Sequence, residues 1–151
     1  MKIGIIGNAA DKFTPELKEL AERVIKDILA DFKPGDVLVS GRCPLGGVDV
    51  WAEEMAKAMG IPTDIKVPKQ HRWDAEYGFK QRNIDIAKES VHLWVIVVEE
   101  YPEGYVGRRF KGCYHCGTSD HVKSGACWTA KQADKVYGNF VFQVILRSKN
   151  I

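Results

Sequence analysis

Residues 37–54 read VLVSGRCPLGGVDVWAEE, and the order of residue types in this stretch implies the fold. A short apolar run, Val37-Leu38-Val39, stops at Ser40-Gly41. A Gly/Pro loop follows, and after Gly46-Gly47 the pattern becomes that of an amphipathic helix. Strand, glycine loop and helix in that order present free backbone N–H groups and the positive end of a helix dipole, where a phosphate can sit. The chain begins with a second such unit, KIGIIGNAADKFTPEL over residues 2–17. Two of them suggest a nucleotide-binding α/β domain. Glycine at a βα turn also serves the turn alone, so the loop by itself is not specific.

The chain of 151 residues is long enough for one domain with a real core and no disulfide staples. A formal net charge of +2 is too small to argue by itself for nucleic acid or an anionic membrane. No apolar run approaches a membrane-spanning length, so no membrane partner is expected. The start, Met1 to Gly7, is too short in its apolar part for a signal peptide and reads as a buried strand. Without an export signal, the four cysteines point to free thiols or a metal, and a cytoplasmic location is expected.

Working outward, Ile3–Ile6 reads as the first strand. Thr14 reads as an N-cap with Pro15 at the first helical position, ahead of a wide apolar stripe from Leu17 to Leu29. Lys33-Pro34-Gly35-Asp36 turns into the second strand. Val48, Trp51, Ala52, Met55, Ala56 and Met59 trace the second helix, stopped by Gly60. Residues 61–67 form an expected third strand at a sheet edge, because Pro62 stands near its start. Residues 74–89 are expected to be helical with a break near Gly78, and the apolar run 91–98 reads as a strand covered on both faces. A long glycine-rich segment follows, then a helix over 128–137 and a strand over 140–146. The series implies a single Rossmann-like, doubly wound parallel sheet in order 3-2-1-4-5, with an insertion over 101–127 before the last helix. In such a sheet the ligand crevice lies beyond the carboxyl ends of the strands, where loops 7–13, 40–47, 69–74 and the segment after Val98 converge.

The residues Lys2–Gly7, Ser40-Gly41, Gly47-x-Asp49-x-x-Ala52-Glu53-Glu54 and Trp73 through Arg82-Asn83 give the chain a resemblance to a known group. It resembles the SLOG superfamily of Rossmann-like domains, in particular its YspA-like branch. Relatives in that superfamily are the cytokinin-activating phosphoribohydrolases, the molybdenum-cofactor carrier proteins and the DNA-processing protein A domain. The resemblance runs from Met1 to about Val98 and resumes over 124–146. It implies a nucleotide or nucleotide-derived small-molecule ligand, and a homo-oligomer is also expected. By the same resemblance Gly7-Asn8 would lie under the ligand, and Ser40-Gly41 and Gly46-Gly47 would contact phosphate or ribose. Trp73 would flank a base, Arg82-Asn83 would point into the crevice, and Arg42, Asp49 and Thr129 complete the set. Two departures stand out. The turn before the last helix reads Ser124-Gly125-Ala126-Cys127-Trp128-Thr129, less open than the family's glycine-rich turn. The Pro-Gly-Gly-x-Gly-Thr-x-x-Glu motif of the phosphoribohydrolases is absent, and their catalytic glutamate with it.

The cysteine segment carries its own chemistry. Cys113-x-x-Cys116 is the short knuckle that lets two thiolates grip one tetrahedral ion, and His121 and Cys127 would complete the set. Five residues separate His121 from Cys127, one more than in the zinc knuckles it resembles. The expected cofactor is a structural zinc, because four protein ligands leave no open position for catalysis. His115 remains an alternative to His121, and a disulfide or idle thiols are the plainer reading. Arg108, Arg109, Lys111, Lys123 and Lys131 lie among Tyr101, Tyr105, Phe110, Tyr114 and Trp128, which suits a single-stranded nucleic-acid platform. That is the alternative function. Its competitor is a metal-pinned insertion whose aromatics merely cover it.

The remaining candidates each have two readings. Trp73 either stacks on a base or packs its loop against the next helix. Arg82 either holds a phosphate or pairs with Glu76, Asp85 or Glu89 at the surface. Asp49 and Glu53 either stabilise the start of the second helix or assist at a ribose. Trp51 and Trp94 fall on core periodicities; Cys43 reads as a loop thiol, and His71 and His92 have no evident partner. The function expected is binding of a nucleotide-like molecule in a sensor or processing domain. As an enzyme, the chain would cleave an N-glycosidic or phosphoribosyl bond, with no catalytic residue fixed by the sequence.

Overall fold

The computed structural model describes residues 1–150. The strands are β1 (Lys2–Gly7), β2 (Val37–Ser40), β3 (Thr63–Ile65), β4 (His92–Val98) and β5 (Phe140–Leu146). The α-helices are α1 (Pro15–Ala30), α2 (Val48–Ala58), α3 (Phe79–Glu89) and α4 (Gly125–Lys135). All five strands run parallel in one sheet, ordered β3-β2-β1-β4-β5, as the alternation of strand and helix patterns requires.

Strand residues alternate between the two faces. Ile5, Leu38, Ile96 and Val98 meet Leu17, Ala21 and Ile25 of α1 and Val48 and Ala52 of α2. Ile6, Val39, Val95 and Val97 meet Ile86 and Ala87 of α3 and Ala133 of α4 on the other side. Each fully buried Ile, Leu or Val side chain contributes about 1.5–3 kcal/mol through burial, so these two layers dominate the stability. Trp51 and Trp94 are half-buried and pack at the margin of the first layer. Thr14 caps α1 through its Oγ1, which accepts from the Leu17 N–H at 3.1 Å.

Three boundaries differ from expectation. β3 spans only Thr63–Ile65 and lies at an edge, next to Pro62. Lys2 (β1) and Lys66 both bridge Asp64 of β3 and Glu89 of α3, which anchors this short edge strand. α3 starts only after Gly78, because residues 72–75 fold back over its first turn. The Phe79 N–H donates to Arg72 O at 3.0 Å and the Lys80 N–H to Trp73 O at 3.1 Å. α4 begins at Gly125, earlier than the apolar pattern indicates, with the Ser124 hydroxyl accepting from the Ala126 N–H at 3.2 Å. No helix among the described residues is long and apolar enough to cross a membrane.

The order of strands reverses between β1 and β4, and Asn8 marks that point. Its N–H donates to Ile96 O at 3.1 Å, its Oδ1 accepts from the Val98 N–H at 2.9 Å, and its carbonyl accepts from the Val48 N–H at 3.2 Å. One buried residue, through its backbone and its side chain, therefore joins the end of β1 to β4 and to the start of α2. Gly47 seats α2 on this knot: its φ is +97°, and a Cβ there would stand 2.3 Å from Asn8 O.

A candidate metal centre beside a cationic crevice

The segment between β4 and α4 folds around its cysteines. The Cys113 N–H donates to Thr118 O at 2.9 Å and the Gly117 N–H to Cys113 O at 2.9 Å. That turn brings Cys113 and Cys116 to one side, His121 follows it, and Cys127 comes from the first turn of α4. The ligand atoms of Cys113, Cys116, His121 and Cys127 all lie within 4.8 Å of one another, and every cysteine is free. His121 Nε2 stands 3.6 Å from Cys127 Sγ, close to the ~3.6 Å expected between a nitrogen and a sulfur on one tetrahedral ion. The four residues form a cluster that could hold one metal ion, and of the two histidines it is His121 that joins it. His115 lies outside the cluster, against the Tyr114 ring at 4.3 Å.

A second layer orients the ligands. Asp120 Oδ1 lies 2.6 Å from His121 Nδ1, which holds the proton on that nitrogen and leaves the Nε2 lone pair for an ion. Asp120 is itself held by the Thr118 hydroxyl at 2.8 Å. From β5, Gln143 Nε2 donates to Cys116 Sγ at 3.5 Å and to Cys127 Sγ at 3.7 Å. Burial raises the Cys113 thiol, but the amide donors of Ser124, Cys116 and His115 outweigh it and bring the group to about 7. Amide and Gln donors around the sulfurs are what thiolates in a partly buried site require. Cys113, His121 and Cys127 are buried, while Cys116 is exposed.

A crevice of about 250 Å³ opens at the carboxyl ends of β1 and β4. Gly7 and Asn8 form its floor, Arg82 and Asn83 of α3 one side, and Ser124, Gly125, Ala126 and Thr129 of α4 another. The insertion supplies Tyr101, Tyr105, Arg108, Phe110 and Lys123 as the remaining wall. Four cations, Lys12, Arg82, Arg108 and Lys123, face one carboxylate, Asp49, and the N-terminus of α4 adds its dipole. The aromatics are interlocked with the cations. Tyr101 stacks on Tyr105 with centroids 4.7 Å apart, Arg108 lies over Phe110 at 4.6 Å, and Lys12 lies over Tyr105 at 5.1 Å.

Arg82 makes no salt bridge among the described residues. Glu89 is engaged by Lys2 and Lys66, and Asp85 accepts from Gln81, which removes the surface pairing the helical spacing allowed. Instead Arg82 Nε donates to Asn83 Oδ1 at 2.7 Å and Nη1 donates to Gly41 O, while Nη2 keeps no protein partner among the described residues. Gly41 makes room for it, since a Cβ there would stand 2.6 Å from Nη1. Asp49 Oδ1 accepts from the Gly7 N–H at 3.3 Å. Burial pushes the Asp49 carboxyl up to about 6, against the pull of the Arg82 guanidinium and of the Gly7 and Gly41 amides.

Of the ligand set read from the sequence, Gly7, Asn8, Asp49, Arg82, Asn83 and Thr129 line the crevice. Ser40, Gly41, Arg42, Gly46, Gly47 and Trp73 lie outside its lining. Ser40 is fully buried and donates its hydroxyl to Ile5 O at 2.7 Å, which ties β2 to β1. Arg42 grips Glu53 through Nε at 3.1 Å and Nη2 at 2.8 Å, and Lys57 holds the same carboxylate. The Arg42 guanidinium, helped by Lys57, holds the Glu53 carboxyl at about 2, and the pair lies outside the crevice lining. Trp73 packs edge-on to Trp128 of α4 with centroids 4.8 Å apart. Lys12 and Cys43, which the sequence did not mark, do line the crevice. Their only signal was position on loops that a doubly wound sheet delivers to one rim. No family model, curated protein or solved structure matches the chain.

Proposed function

We propose that the crevice binds a mononucleotide or nucleotide-derived small molecule, in a sensor or processing domain, and that the adjoining cluster holds a structural zinc ion. The observation that carries the reading is the convergence of Lys12, Arg82, Arg108 and Lys123 with the α4 N-terminus at the β1/β4 switch point. Phosphate suits the cations and helix end, with the free Nη2 of Arg82 as a ready donor. The Tyr101, Tyr105 and Phe110 rings offer faces for a base. At about 250 Å³ the space suits one nucleotide rather than a dinucleotide cofactor. The resemblance to SLOG domains agrees with this, and we propose membership on the same residues.

Three thiolates and one imidazole favour zinc among common divalent ions, and four protein ligands make the role structural. Asp49 is the one carboxylate lining the crevice among the described residues. Its place suits a hydrogen bond to a ribose hydroxyl, and any N-glycosidic or phosphoribosyl cleavage would depend on it.

Native mass spectrometry of the protein as purified tests both halves. The expected spectrum shows one zinc and a co-purified mass of nucleotide size; a metal-free protein with four titratable thiols would overturn the zinc assignment. For the crevice, adenosine monophosphate is titrated by calorimetry. Arg82→Ala should weaken binding by about tenfold or more, the cost of a lost charge-assisted bond. Unchanged binding in that variant would sink the reading. The single-stranded nucleic-acid alternative makes the opposite prediction, with steep salt dependence and sensitivity at Arg109, which lies outside the crevice lining.

A further inference from the structure

We infer that the metal centre and the crevice form one thermodynamic unit: the ion held by Cys113, Cys116, His121 and Cys127 fixes the wall that contacts the ligand, so nucleotide affinity rises with metal occupancy. The inference rests on the nucleotide reading of the crevice.

Three observations join the two sites. Cys127 belongs to the same first helical turn whose Ser124, Gly125 and Ala126 line the crevice, so one α4 N-terminus serves both. Between β4 and α4 the chain forms no helix or strand beyond the single Cys113–Thr118 bridge. Its buried side chains are Cys113, His121, Val122 and Ser124, so two of four are metal ligands. The wall is also continuous with the knuckle. Phe110 stands three residues before Cys113, its N–H donates to the Tyr101 hydroxyl at 3.1 Å, and Lys123, two residues after His121, lies over its ring at 5.6 Å.

With an ion in place, the knuckle, His121 and α4 are cross-linked, and the loop carrying Tyr101, Tyr105, Arg108 and Phe110 is closed at its far end. Without one, these side chains keep their mutual contacts but lose the anchor, and the ligand must supply the ordering of the loop from its own binding energy. Linkage then requires reciprocity: a nucleotide tightens zinc by the factor by which zinc tightens the nucleotide.

The test uses the full chain, zinc-loaded or chelator-treated under reducing conditions. Adenosine monophosphate affinity is measured by calorimetry, and hydrogen exchange is followed over residues 101–126 and over the sheet. Zinc affinity is measured by competition with a colorimetric chelator, with and without saturating nucleotide. The expected result is about tenfold weaker nucleotide binding after zinc removal, within the usual range of coupling between sites, and the same factor in zinc affinity. Exchange should rise over 101–126 while β1 and β4 stay protected. Equal nucleotide affinity in both forms would overturn the coupling while leaving the nucleotide reading intact. Absence of binding to either form would instead count against the nucleotide reading, and the exchange data would then decide the wall: unchanged protection over 101–126 overturns it.

Should chelation unfold the sheet as well, Gln143→Ala keeps all four ligands and removes the amide that reaches Cys116 Sγ and Cys127 Sγ and stands 3.5 Å from His121 Nε2. Its nucleotide affinity should saturate at about tenfold higher free zinc than that of the parent chain. A nucleotide affinity independent of free zinc in that variant would also refute the coupling.

Discussion

Asp49 shows what one side chain costs the fold and why it is kept. In the unfolded chain it titrates at the ordinary value of 3.8, whereas burial in the fold holds its proton to about 6. Between those values the native state binds more protons than the unfolded state, so stability falls as pH rises through this window and the loss is complete above about 6. Asp49→Asn removes the ionisation but keeps an oxygen for the Gly7 N–H. It should therefore raise stability at pH 7 by up to about 3 kcal/mol and leave it little changed near pH 4. Urea denaturation at the two pH values checks this, and equal gains at both would refute it. A residue that burdens the native state in this way fits a ligand-facing role better than a packing one. Asp120 is a second case. Asp120→Asn should loosen the orientation of His121 and weaken zinc by about tenfold or more, read by chelator competition. Ser90 is a third: its buried hydroxyl has no partner among the described residues. Ser90→Ala should be neutral or stabilising by up to about 1 kcal/mol in chemical denaturation.

At the scale of elements, the helix starts separate stability from binding. Thr14 caps α1 and lies outside the crevice lining, so Thr14→Ala should cost about 1 kcal/mol in calorimetric unfolding and leave nucleotide binding unchanged. Gly41 follows β2 and supports the α3 guanidinium through its carbonyl. Gly41→Ala should displace Arg82 and weaken adenosine monophosphate severalfold, with a smaller effect on unfolding, as its nearest obstruction is a flexible side-chain end. A melting temperature that collapses with no effect on binding would contradict that division. The elements whose boundaries moved share a cause. α3 starts late because the carbonyls of Arg72 and Trp73 accept from its first two N–H groups, and Gly78 has no Cβ to obstruct the approach. α4 starts early because the Ser124 hydroxyl caps it, ahead of the apolar stripe that marked the helix in sequence.

For the whole molecule, the sheet with its helices and the segment between β4 and α4 are held by different forces. The sheet rests on two apolar layers, whereas the segment reaches those layers only through Tyr101, Val122 and Cys113 and otherwise gathers around the candidate metal ligands and a few stacked rings. Zinc removal should therefore cut protection in residues 101–126 more than far-UV circular dichroism, a comparison that tests this division directly. The division also explains what was legible beforehand. Alternating strand and helix patterns implied the sheet and its order, because apolar periodicity and right-handed crossovers leave few arrangements. The spacing of Cys113, Cys116, His121 and Cys127 marked the cluster that could hold a metal, because a short knuckle needs little more than its own turn. Those properties are local, or follow from local patterns. Other assignments needed the packed chain. His121 is set apart from His115 by Asp120 on one nitrogen and the thiols near the other. Arg82 turns toward the crevice because Gly41 and Asn83 receive it and its acidic neighbours along the helix are engaged elsewhere. Trp73, outside the crevice lining, meets Trp128, 55 positions away in the chain. The wall of the crevice comes from a segment without secondary structure of its own, whose path no periodicity records. Sequence by itself determined the sheet and the cysteine knuckle, since both are written in spacing. Only the tertiary structure decided which polar side chains meet, since burial and competition between partners far apart in the chain settle that.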